Sequence, residues 1–156
     1  MHRFAVTVAI CLIGATAVWA QNADAIKQRR DAMQTVAKAS GANFKMVKGE
    51  SPFDLAVVQA GLKTFQEVLP KFKGMFPENS RTGDTEATAK VWEARPAFDQ
   101  AIDKFVADAK AAAGQITDEA TFKQFYPAVS ANCGGCHKEK DGFAPKVTDS
   151  LKRMQR

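Results

Sequence analysis

A chain of 156 residues, 46% of them hydrophobic and 25% charged, is long enough for one packed core and short for two ordinary domains. Its 22 basic and 17 acidic side chains give a formal charge of +5, but they are interspersed along the chain. That pattern describes a solvated surface and speaks against a nucleic-acid patch, so no nucleic-acid partner is expected.

Met1-His2-Arg3 is positively charged and leads into an apolar run from Phe4 to Trp19, closing on Val18-Trp19-Ala20 before Gln21. Small residues at the positions a signal peptidase reads predict a secretory signal over residues 1–20, cleaved after Ala20, and one mature domain over 21–156. An uncleaved anchor is the weaker reading, because the run is short for a span and is interrupted by Thr7, Gly14 and Thr16. A lipid anchor at Cys11 is disfavoured by the bulky Ile10 before it. No later apolar run is long enough to cross a bilayer, so the mature chain is expected to have no membrane span. Export from a Gram-negative cell would place it, soluble, in the periplasm. Cleavage removes Arg3, lowering +5 to +4, and removes Cys11, leaving Cys133 and Cys136 as the only thiols.

Four amphipathic stretches follow. The first helix is predicted from about Ala23 to Met46, with Ile26, Met33, Ala37, Ser40 and Phe44 on one face. Gly49-Glu50-Ser51-Pro52 breaks it, and Ser51 as N-cap with Pro52 in the first turn predicts a restart. The second helix carries Leu55, Val58, Leu62, Phe65 and Leu69 at bundle spacing and is expected to end at Pro70. Lys71 to Asp84 lacks helical period and reads as a loop packed by Phe72, Met75 and Phe76. After a short turn around Trp92, a third main helix starts near Pro96, with Phe98, Ile102, Phe105, Ala109 and Ala112 as its seam and Gly114 as its end. Thr117 as N-cap opens the fourth, whose face is Phe122, Tyr126, Val129, Cys133 and Cys136, with Pro127 expected to kink it. Nothing alternates with period two. The fold class is therefore all-α, an antiparallel four-helix bundle with a long middle connection.

Cys133-Gly134-Gly135-Cys136-His137 carries the chemistry. Two thiols two residues apart can each add to one vinyl group of a haem, while the adjacent imidazole reaches the iron; this is the attachment signature of haem c. On a helix the three side chains share a face, and Gly134 and Gly135 would allow close approach of the macrocycle. Competing readings are a zinc site, which lacks a fourth ligand, a redox dithiol, which lacks a strand–helix crossover, and a plain disulfide between Cys133 and Cys136.

With that motif on the last of four helices, the chain resembles the class II c-type cytochromes, the family of cytochrome c prime and its low-spin relatives. Further matches are Arg29 followed a turn later by Met33, Lys48 to Asp54, Phe76-Pro77, and Val91-Trp92-Glu93 ahead of Phe98. The resemblance spans essentially the whole mature chain. It implies one haem c held through Cys133 and Cys136, with His137 as proximal iron ligand and Arg29 beside a haem propionate. Met33 matches the distal position, which the family uses in two ways. As a ligand, Met33 would complete the iron and suit a one-electron carrier that works with redox partner proteins. As a non-ligating gate, it would leave a five-coordinate iron that takes up nitric oxide or carbon monoxide. Either way the protein reads as a cofactor binder and not an enzyme, because the first helix offers no distal histidine, acid or base. Family members are often homodimers through the first two helices, and a homodimer is possible here. One departure stands out: where the family commonly has an aromatic and then a basic residue after the histidine, this chain has Lys140 and Asp141, followed by Gly142-Phe143-Ala144-Pro145-Lys146. The helix end is expected to be extended or rebuilt there.

Overall fold

The computed structural model describes residues 5–138 and 140–147, with side chains from residue 22 onward. The first residues of the predicted signal and Met154, a weaker ligand candidate, lie outside the described residues. Among the described residues the named α-helices are, in order, α1 (Ala5–Val47), α2 (Leu55–Phe72), a short α3 (Lys90–Glu93), α4 (Arg95–Gln115) and α5 (Glu119–Cys136). The four long ones form the bundle. Among the described residues the only β pairing is an isolated bridge between His137 and Ala144. No helix among them is long and apolar enough to cross a membrane.

α1 ends one residue from its predicted limit but continues back to Ala5, through the stretch assigned to the signal. The α2 start differs from expectation. Asp54, not Ser51, is the N-cap, and its carboxylate accepts the Val57 N–H at 3.1 Å. Phe53 packs on Phe122 with ring centroids 5.6 Å apart, which commits the preceding residues to an approach rather than a first turn. Pro70 does not end α2 either. It sits in the last turn, where losing one N–H bond is tolerated, and Phe72 continues the coil by packing on Phe76 and Phe98.

The region read as a loop contains two turns of 3₁₀ helix, Lys73–Met75 and Glu78–Ser80. Pro96 lies in the first turn of α4, as expected, and α4 runs one residue past Gly114. For α5 the cap is Asp118 rather than Thr117: its carboxylate takes the Thr121 N–H at 2.8 Å, and Thr121 Oγ1 takes the Asp118 N–H at 3.0 Å in return.

α1 packs on α2, α2 on α4 and α4 on α5. Val58, Leu62, Phe65 and Leu69 from α2 meet all five predicted seam residues of α4, with Phe122, Tyr126 and Val129 from α5 completing the core. Leu55, predicted on the α2 seam, is exposed. The side of the bundle between α1 and α5 is different. These helices make few close backbone approaches and meet through an edge-on contact of Phe44 with Tyr126. Between them lies a cavity.

Candidate haem-binding site

A cavity of about 690 Å³ opens between α1 and α5, within the roughly 300–1,000 Å³ typical of cofactor sites. The predicted α1 face, Ile26, Met33, Ala37, Ser40 and Phe44, forms one wall entirely. Helix α1 therefore presents more than one buried face. Asn43 and Met46 are buried on the core side, Val36 lies where core and cavity meet, and the stripe read from the sequence faces the cavity. Phe72, Phe76, Phe98 and Phe105 form an apolar back wall.

Cys133, Cys136 and His137 stand together on the opposite wall. Both thiols are free and half-buried, and burial pushes each above the usual thiol range. The plain-disulfide reading therefore finds no support, and no cluster of His, Cys, Asp or Glu suited to a metal ion occurs among the described residues. His137 is not a helical residue, as the spacing argument assumed. It caps α5 in an extended conformation (φ −95°, ψ 91°), while its N–H still bonds Cys133 O at 3.0 Å. The protein makes no close approach to Gly134 or Gly135; a Cβ at either would meet open space.

His137 Nδ1 lies 2.7 Å from the Pro145 carbonyl oxygen. A carbonyl can only accept, so Nδ1 carries the proton and Nε2 keeps the lone pair that a metal needs. Sequence reasoning missed this contact. Its only trace was the unfamiliar run after His137.

Arg29 is buried at 5% exposure beside the cavity. Four of its five N–H donors are committed: Nη1 donates to Met75 O (3.1 Å) and Ser80 Oγ (2.7 Å), and Nη2 to Ser80 O (3.1 Å) and Thr85 Oγ1 (3.0 Å). Its guanidinium also lies 4.8 Å from the Phe76 ring centroid. All these partners are neutral. Burial without a paired carboxylate lowers its pKa to about 10. A buried cation with neutral partners, at the edge of an apolar cavity, is a place for an anionic substituent.

Of the other methionines, Met46 is buried in the core, where its sulfur accepts the Asp54 N–H at 3.2 Å. Met75 lines a separate surface cleft. Met33 is the only thioether on the cavity wall among the described residues.

The family model for Cytochrome C' matches residues 24–139. This chain belongs to the class II c-type cytochromes. It is 37% identical over 138 residues to cytochrome c' of Rhodopseudomonas palustris, covering 88% of this chain and 94% of that protein. It is 30% identical over 154 residues to cytochrome c-556 of the same species, covering 91% and 100%. A solved structure of R. palustris cytochrome c' superposes with a TM-score of 0.74 at 38% identity, over 80% of this chain and 98% of that one. The cofactor of this class II cytochrome is accordingly covalently attached haem c. The residues present fit it: an apolar cavity, two free thiols on its wall, an imidazole with one nitrogen open, and a buried guanidinium whose hydrogen-bond partners among the described residues are all neutral.

Proposed function

We propose that this class II cytochrome is a periplasmic one-electron carrier in which Cys133 and Cys136 anchor the haem and His137 and Met33 ligate the iron. The observation that carries the reading is the position of Met33, the one thioether on the cavity wall among the described residues, on the helix opposite His137. Haem c supplies a ferric–ferrous couple. The chain's own residues supply the rest. A thioether opposite an imidazole favours the reduced form and closes the iron to added ligands, which suits electron transfer over ligand binding. Met33 stands on a long packed helix and His137 at the fixed end of another, so little rearrangement accompanies a change of charge. Arg29 has no partner for its Nε–H among the described residues and can receive a propionate while its other donors hold the connection after α2. Basic residues around an exposed haem edge would orient an acidic redox partner.

A second reading has its own support. Identity to the cytochrome c' relative exceeds that to cytochrome c-556, 37% against 30%. Ala37 and Gly41 continue the wall beyond Met33 with small side chains, leaving room for a small gas. In that case Met33 gates a five-coordinate iron that binds nitric oxide or carbon monoxide.

Absorption spectra of both oxidation states, with and without carbon monoxide, separate the two. The carrier shows a low-spin spectrum with a thioether-to-iron band in the ferric state, slow reaction with carbon monoxide, and conversion to high-spin in Met33→Ala. A high-spin spectrum that changes promptly with carbon monoxide sinks the carrier and establishes the gas-binding reading.

A further inference from the structure

The chain turns back on itself after the haem motif. Phe143 N–H and Ala144 N–H both bond Cys136 O, at 3.0 and 3.3 Å, and Lys138 N–H bonds Ala144 O at 3.3 Å. Two features make so tight a return possible. Asp141 adopts a positive φ of 56°, the only non-glycine described residue to do so. At Gly142 a Cβ would lie 2.7 Å from Lys138 N and 3.0 Å from both Ala144 O and Cys136 O, all backbone atoms, so no larger residue fits without moving the turn.

This turn is fastened from outside as well. Thr88 N–H bonds Phe143 O at 3.0 Å, Thr88 Oγ1 donates to Gly142 O at 2.8 Å, and Lys90 Nζ donates to Asp141 O at 2.6 Å. Phe143 packs edge-on against Phe98 of the core at 5.2 Å. The result of all these contacts is the placement of a single acceptor, Pro145 O, 2.7 Å from His137 Nδ1.

We propose that residues 140–145, tied back to Lys138, form a proximal strap whose purpose is to hold His137 on the iron, with Pro145 O as the positioning group. The inference rests on His137 being the iron ligand and adds what keeps it there. An accepting carbonyl on Nδ1 fixes the ring's tautomer and orientation and increases electron donation through Nε2, and loss of such an outer partner typically lowers metal affinity about 10–100-fold. The strap thereby opposes displacement of His137 by a small ligand and favours the ferric state. It is built from the segment where this chain departs from the usual pattern, and the acceptor is backbone, so the device is set by how the turn folds.

The test uses the haem-loaded protein labelled with nitrogen-15 histidine. Once the predicted signal is removed, His137 is the only histidine, because the other is His2. In the diamagnetic ferrous protein, low-spin as it stands or made so with carbon monoxide where the iron is high-spin, a protonated Nδ1 should appear with a haem ring-current shift. Its exchange with solvent should be at least about fivefold slower than in Gly142→Ala or in a chain ending after Lys140. Without carbon monoxide, the reduction potential should rise in both variants. Thr88→Val, which removes one outer fastening, provides a milder form with the same direction of change. A shifted His137 whose Nδ1–H exchanges as fast in the intact protein as in the variants, or whose potential is unmoved by them, overturns the strap and leaves the ligand assignment standing. A His137 signal without any haem-induced shift overturns both. Where Gly142→Ala or the shortened chain fails to retain haem, Thr88→Val supplies the comparison.

Discussion

Replacing Arg29 with methionine keeps the stem of the side chain and removes the buried cation. Four charge-assisted hydrogen bonds, to Met75 O, Ser80 O, Ser80 Oγ and Thr85 Oγ1, are lost together. At about 1.5–3 kcal/mol each for bonds from a charged donor, the gross loss is at least about 6 kcal/mol. The net expectation is a destabilisation of about 3 kcal/mol, because bonds within one cluster do not add fully. Urea unfolding followed by helical circular dichroism measures it, with the midpoint falling and the slope unchanged. Arg29→Lys should recover little, since a single ammonium cannot serve four acceptors spread over Met75 to Thr85. A loss below about 0.5 kcal/mol in Arg29→Met, or full recovery in Arg29→Lys, would refute the view that Arg29's fork geometry organises this connection.

Three further expectations follow from other contacts. In Gly61→Ala the added Cβ would stand 2.7 Å from Asn43 Nδ2, on a side chain with no exposure, so overpacking between α1 and α2 should cost about 1–3 kcal/mol in the same unfolding assay. Asp118→Ala removes the acceptor of the α5 capping box and should lower the unfolding midpoint near neutral pH. The Asp118 carboxyl is held below the usual carboxylate range, first by the Thr121 backbone N–H. Its stabilisation is therefore present above the unfolded-state pKa and lost as pH falls through the lower folded value, so wild type and Asp118→Ala should converge in acid. Cys133→Ser or Cys136→Ser should leave haem attached by one thioether or lost, detectable by mass under denaturing conditions; two intact thioether links in either variant would contradict the attachment assignment.

The elements that were legible in the sequence are those in which one physical demand dominates. The α4 seam from Phe98 to Ala112 has a single apolar face and one place to put it, and every predicted member is buried. Helix ends were read less well because local signals compete there. Ser51-Pro52 and Thr117 are good starting signals, yet Asp54 and Asp118 cap the helices, one favoured by the packing of Phe53 on Phe122 and the other by reciprocal bonding with Thr121. The α1 stripe shows a different limit. Its spacing correctly picked out five residues of one face, but periodicity alone cannot say whether a face meets protein or a prosthetic group, and Asn43 and Met46 on the core side, with Val36 where core and cavity meet, escaped notice. Pro145 was invisible for a simpler reason. Its contribution is a backbone oxygen, available from any residue, and only the three-dimensional turn selects it.

The separation of α1 from α5 bears on how the protein matures. At about 24 cal/mol per Å³, a dry void of about 690 Å³ would cost on the order of 17 kcal/mol, more than the roughly 5–15 kcal/mol by which ordinary domains are stable. A haem-free chain must therefore flood this space or let its first and last helices fall together, and either event perturbs the surroundings of the thiols on the inner wall. The cofactor is in this sense part of the core, and a haem-free chain should differ from the loaded one chiefly where α1 faces α5.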